Sequence, residues 1–150
     1  MRKSIGRVFA LTAAAFGTLL AGSGVAHAAT PAEQAVAACG SSYYVQRSYT
    51  LGYGQSVTVF QLYSASTKSN CVVTVKHESN TYYGRATGLG VGIQAEGGSM
   101  KKDDGDYKYY AGPLYLNAPG TCVRFWAHYD EIGASTIHNW TYTSPYANCG

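Results

Sequence analysis

His77 stands directly before Glu78, and His128 is followed by Asp130 and Glu131. A histidine beside a carboxylate is the minimal equipment for general acid–base work, as in a small secreted hydrolase or ribonuclease. The nucleophile such a base would activate has no recognisable setting. Gly40-Ser41, Gly54-Gln55-Ser56 and Gly133-Ala134-Ser135 each lack the second glycine of a Gly-x-Ser-x-Gly elbow. No His-Glu-x-x-His pattern forms either, because Thr81 stands where the second histidine belongs. Histidines scattered over strand-like stretches serve more often as surface or cross-strand polar groups. The sequence therefore assigns no catalytic residues, and a hydrolase using His77 with Glu78, or His128, ranks last of three readings.

The run "KKDDGDY", residues 101–107, groups Asp103, Asp104 and Asp106 around Gly105. These are hard oxygen ligands of the kind calcium takes, but no glutamate closes the loop as a bidentate ligand. A charged turn between two strands, with Gly105 at positive φ, accounts for the same residues. No metal or other cofactor is expected.

Cys39, Cys71, Cys122 and Cys149 are an even set without a close C-x-x-C pair, which excludes the usual zinc spacing and argues two disulfides. Pairing Cys39 with Cys71 and Cys122 with Cys149 closes loops of about 30 residues, each contributing roughly 3–4 kcal/mol in the chain-entropy model. Longer loops gain only logarithmically, so energy does not choose among the three connectivities. The sequential pairs are favoured because strand-turn-strand units bring those ends together.

Aromatic residues offer the third kind of chemistry. All 14 tyrosines follow residue 42, and Tyr and Trp stack on sugar rings and anchor interfaces. In "CVRFWAHYD", alternation sets Val123, Phe125, Ala127 and Tyr129 on one face and Arg124, Trp126 and His128 on the other. In the last strand His138, Trp140 and Tyr142 share one parity. Trp126, Trp140 and Tyr142 are the candidate ligand-binding residues for a glycan- or wall-binding module. An all-β domain poor in leucine also needs tyrosine to build its sheet faces, so scaffold ranks ahead of binding surface.

These residues must be positioned by a small exported domain. Arg2, Lys3 and Arg7, then the apolar run 8–21, then Ala26-His27-Ala28, have the organisation of a secretory signal peptide cut after Ala28. A membrane anchor needs about 20 apolar residues, more than this run offers. Removal of residues 1–28 leaves 8 basic against 8 acidic residues, so the excess positive charge of the whole chain belongs to the removed signal segment. Nucleic acid is not an expected partner, because no basic face remains. No later segment is apolar enough to span a membrane. Residues 29–38 read as a short leader or a single turn of helix, and residues 39–150 as one β domain.

Stretches rich in Val, Thr, Tyr and Trp recur at 56–64, 71–79, 89–97, 107–112, 113–117, 122–130 and 135–143, with Gly, Pro, Asn and Asp between them. About seven short strands predict an all-β fold, a small antiparallel sandwich or barrel, disulfide-stapled. After Cys71, Val73 and Val75 share the cysteine's face, while Val72, Thr74 and Lys76 point the other way. Exposed Tyr- and Val-rich edges make self-association a further expectation, opposed by charges such as Lys101, Lys102 and Asp103.

The blocks "ACGSSYYV" (38–45), "NCVVTV" (70–75), "DGDYKYYAGPLYLNAPGTCV" (104–123) and "SPYANCG" (144–150) resemble the spore-associated protein A family of small secreted actinomycete proteins. The resemblance spans about residues 38–150 and departs at "CVRFWAHYDE", where the family commonly carries Trp-Gly-Gly. It implies an extracellular, spore- or cell-surface-associated protein without an assigned enzymatic activity; separately, a cell-wall or spore-surface glycan or protein is the expected partner. The resemblance supplies no catalytic residue. The expectation is a non-enzymatic surface protein, with the binding module second.

Overall fold

The computed structural model describes residues 28–149, and the signal-peptide reading of residues 1–28 lies almost wholly outside them. The chain begins with α1 (Pro31–Cys39) and continues as eight strands: β1 (Tyr44–Leu51), β2 (Val57–Ser64), β3 (Ser69–Lys76), β4 (Thr87–Ala95), β5 (Lys101–Tyr107), β6 (Tyr110–Asn117), β7 (Val123–Ile132) and β8 (Ile137–Thr143). They form two four-stranded sheets, β1-β2-β3-β6 and β5-β4-β7-β8, with every pairing antiparallel. The fold is an all-β sandwich.

Between the sheets lies the main core of Leu51, Val57, Val59, Val72, Leu89, Val91, Ile93, Ala111, Phe125, Ala127 and Tyr129. The alternation read in β7 holds, with Phe125, Ala127 and Tyr129 buried and Trp126 and His128 on the other face. In β2 and β3 the burial is two-sided. Cys71, Val73 and Val75 face outward from the sandwich, yet they are buried, because α1 lies over them with Ala35 and Cys39, beside Phe60 and Leu62 of β2. Their opposite neighbours Val72 and Thr74 face the second sheet, where Thr74 Oγ1 donates to Gly90 O at 2.9 Å.

Residues 31–38 are thus packed helix. Thr30 accepts from Glu33 N–H while the Glu33 carboxylate accepts from Thr30 N–H, a reciprocal cap that satisfies otherwise unpaired helix donors. Pro31 suits the first helical position, where its missing N–H costs nothing. At the other end, Tyr115 Oη donates to Cys39 O at 2.9 Å. Cys39 bonds to Cys71 beneath the helix, and Cys122 bonds to Cys149, tying the start of β7 to the C-terminal tail.

Three strand assignments differ from the sequence reading, and the first is β1 (Tyr44–Leu51), which none of the seven stretches covered. Residues 107–112 and 113–117 are not two strands; the second half of that stretch is the single strand β6. Residues 101–107 are not a charged turn but the edge strand β5, and Gly105 pairs with Leu89 without a positive φ. The turn is made before β5, by Gly97 and Gly98, with Gly98 N–H bonded to Ala95 O and two residues between Gly98 and the strand. An edge strand tolerates this many charges because one side of it faces water. Asp103, which points inward, has its carboxylate satisfied by the Tyr107 hydroxyl and the Gly112 N–H.

Candidate functional site

The outer face of the second sheet carries the densest polar arrangement among the described residues. Its central strand β4 reads Thr-Gly-Leu-Gly-Val-Gly-Ile, so Leu89, Val91 and Ile93 enter the core while Gly88, Gly90 and Gly92 form a bare strip outside. Register places Gly92 between Lys102 of β5 and Trp126 of β7, and Gly90 between Asp104 and His128. Residues on β5 and β7 are two strand spacings apart, roughly 10 Å, too far for direct contact across an ordinary side chain. Over the glycines they meet.

In the Gly92 row, Lys102 Nζ sits 3.6 Å from the centre of the Trp126 ring, a cation–π contact. In the Gly90 row, His128 Nδ1 lies 2.7 Å from Asp104 Oδ1. A Cβ on Gly90 would come 2.5 Å from Asp104 Oδ1 and 2.9 Å from Trp126 Cζ3, and one on Gly88 would come 2.2 Å from Asp130 Oδ2. The glycines are required here by close approach of neighbours.

His128 is held from both sides. Its Nε2 is 3.1 Å from Asp130 Oδ1 and 2.8 Å from Asn139 Nδ2 of β8, and Asn139 Nδ2 donates to Asp130 Oδ1 at 2.9 Å. Burial favours the neutral imidazole, but hydrogen bonds and charge from Asp104 and Asp130 outweigh it and raise the His128 pKa above its ordinary value. As the imidazolium, His128 donates to a carboxylate from each nitrogen. When Nε2 loses its proton, Asn139 can donate to it instead. With both nitrogens engaged, neither faces a substrate, and the residue acts as a tie linking β5, β7 and β8.

The other sequence candidates fall elsewhere. His77 Nε2 is 2.8 Å from Thr58 Oγ1, and burial lowers its pKa. His138 contacts Thr136 and the edge of Tyr53. Trp140 and Tyr142 pair with Tyr129 and Ala127, and so lie on the core side of β8, opposite to Trp126. Trp140 Nε1 donates to Glu131 Oε2 at 2.9 Å, and that carboxylate also accepts from Tyr53 N–H at 3.0 Å. Tyr142 stacks on Tyr49 of β1 with ring centroids 3.6 Å apart, closing one side of the sandwich. The three aromatic candidates are not brought into one surface. Asp103 likewise points away from Asp104 on the same strand, and among the described residues no group of three or more His, Cys, Asp or Glu is placed to hold a metal ion.

Asp104 entered the sequence reading only as a calcium-type ligand in a turn, and neither it nor Asn139 was tied to His128. The spacing of His128 and Asp130 puts them on one face, but only the β5-β4-β7-β8 order supplies their partners.

One further polar group is wholly inside. Lys76 Nζ, in a fully buried side chain, contacts Arg85 O at 2.9 Å, Thr87 Oγ1 at 2.6 Å and Tyr107 O at 2.7 Å. Burial lowers its pKa to about 8, against an opposing pull from Asp106. The ammonium's three protons have three acceptors, and the neutral amine is also satisfied if Thr87 donates to its lone pair.

Fold and surface together define a small all-β sandwich stapled by two disulfides, with a tied polar face over a glycine strip. Over 148 residues, 98% of this chain and 82% of the relative, it is 34% identical to a Streptomyces coelicolor protein named Spore-associated protein A. The chain belongs to the spore-associated protein A family, as the four sequence blocks implied. No protein-family model matches the chain, and no solved structure matches it. Among the described residues no helix is long and apolar enough to cross a membrane.

Proposed function

We propose that this chain is a secreted protein of the spore or cell surface with a structural rather than a catalytic role. The observation that carries this reading is its likeness, along nearly its whole length, to a protein named for association with spores. The first 28 residues support it, having the order of a signal peptide that would release a domain starting at Ala29. Two disulfides suit an oxidising compartment outside the cytosol. The engagement of both His128 nitrogens supports a structural use of the best-placed histidine. The wall or spore coat, through glycan or protein, is the partner this reading offers.

The test is fractionation of a sporulating culture with an antibody to residues 39–150. The expected result is a processed chain beginning at Ala29 and enriched on spores over medium and cytosol. An unprocessed chain retained in the cytosol would sink the proposal.

A further inference from the structure

We infer that the cleft between α1 and the tyrosine corner of residues 83 and 109 is a receptor for an organic ammonium group. The cleft has a volume of about 470 Å³ and is lined by Glu78, Tyr83, Tyr109 and Tyr110 together with Gln34, Ala37 and Ala38 of α1. That volume falls in the range of small-ligand sites, roughly 300–1,000 Å³. Tyr83 and Tyr109 stand edge to face, with centroids 5.0 Å apart and planes at 68°, so the two rings form a corner and not a stack. Tyr109 and Tyr110 remain 46% and 44% exposed. Their rings are not consumed by the core.

Charge decides the class of ligand. Glu78 makes no hydrogen bond or ion pair with any described residue, and no lysine or arginine lines the cleft. Aromatic faces carry negative potential, and a cation bounded by such faces and a carboxylate is attracted by both. An anion is repelled by the same groups. A neutral ligand gains nothing from the unneutralised charge.

The ammonium has two sources. Ala29 lines this cleft, and its carbonyl is held there by Gln34 Nε2 at 3.1 Å. Cleavage after Ala28, which rests on the proposed export, would place a new α-ammonium on Ala29 beside Glu78. The alternative source is a free organic ammonium from outside.

The experiment uses the folded chain beginning at Ala29 in two forms, with a free and with an acetylated α-amine. Each is titrated with choline and with its neutral isostere, in which a tert-butyl group replaces trimethylammonium, while tyrosine ring signals are followed by NMR. If the chain's own terminus is the guest, choline shifts the Tyr83 and Tyr109 rings only in the acetylated form, and Glu78→Gln lowers the pKa of the free α-amine. If the guest is external, choline shifts the rings in both forms, and Glu78→Gln weakens binding several-fold with an unchanged melting temperature. Two results overturn the inference: equal shifts by the neutral isostere, or no shift by choline together with an α-amine titration indifferent to Glu78→Gln.

Discussion

Asp104 Oδ1 and His128 Nδ1 lie 2.7 Å apart across a strand to which neither belongs. They meet because Gly90, in register with both, has no side chain to separate them. Asp104→Asn removes the charge that holds the imidazolium from β5 and leaves only a neutral amide acceptor in its place, weakening the pull that opposes burial. The His128 pKa, measured by NMR, should fall from above its ordinary value toward or below it. An unchanged titration would mean that Asp130 alone sets the protonation of His128.

Gly90→Ala should cost more than a lost backbone entropy argument allows, because alanine at a compatible site would otherwise stabilise. The added Cβ overlaps both the Asp104 carboxylate and the Trp126 ring. Overpacking of this kind costs about 1–3 kcal/mol, read as a lower midpoint in urea unfolding. The same variant should lower the His128 pKa, coupling the two readouts. Neutral or raised stability would show that the row relaxes freely.

The dependence of stability on pH should have a minimum near pH 8. His128, with a raised folded pKa, contributes stability that is full below the unfolded pKa and is lost as pH rises through the folded one. Lys76, lowered to about 8 in the fold, works in the opposite direction: between about pH 8 and the unfolded value the unfolded chain binds the extra proton, so stability rises. Thermal melts from pH 6 to 9.5 should fall and then recover. Asp104→Asn should flatten the first limb. Lys76→Met should remove the second, and should also lower the whole curve, since it strands Arg85 O and Tyr107 O without their donor. A monotonic fall would contradict the Lys76 assignment, and a monotonic rise that of His128.

Below pH 6.5 a third group enters. His77 is lowered by burial, so the unfolded chain takes its proton first and stability falls with acidification. His77→Gln, which can keep a polar contact to Thr58, should soften the acid limb of the melting curve. An acid limb of unchanged steepness would assign it to carboxylates instead.

Replacing Cys39 and Cys71 together by serine opens a loop with a sequence separation of 32. The chain-entropy model puts the loss at about 3–4 kcal/mol. Hydrogen exchange should accelerate most in α1, whose hold on β3 then rests on Ala35 and its apolar neighbours alone. Removal of the Cys122–Cys149 bond should instead loosen the C-terminal tail and spare α1. Equal exchange of α1 in both double variants would show that packing, not the bond, fixes the helix.

What could be read along the chain was local. A two-residue alternation is a property of the backbone pleat, so the inward set Val123, Phe125, Ala127 and Tyr129 was visible in "CVRFWAHYD". The β propensity of Val, Thr and Tyr marked most strands, and four evenly spread cysteines in an exported chain marked two disulfides. The charged run 101–107 misled because aspartate and glycine favour turns in isolation, whereas pairing with β4 supplies the hydrogen bonds that keep the run extended. For the same reason, burial on both faces of β3 could not be seen: a capped α1 covers what alternation alone would leave ambiguous.

By itself, then, the sequence determined the alternation, the cysteine count and the family, because each depends on the identity and spacing of neighbours in the chain. Only the tertiary structure decided that Trp126 and Trp140 stand on opposite faces, and that Asp104, His128, Asp130 and Asn139 meet. Those outcomes depend on strand order and register. Two strands separated by a third can exchange contacts only if the middle one is bare, and the alternating glycines of β4 acquire that meaning only once β5 and β7 are set on either side of it.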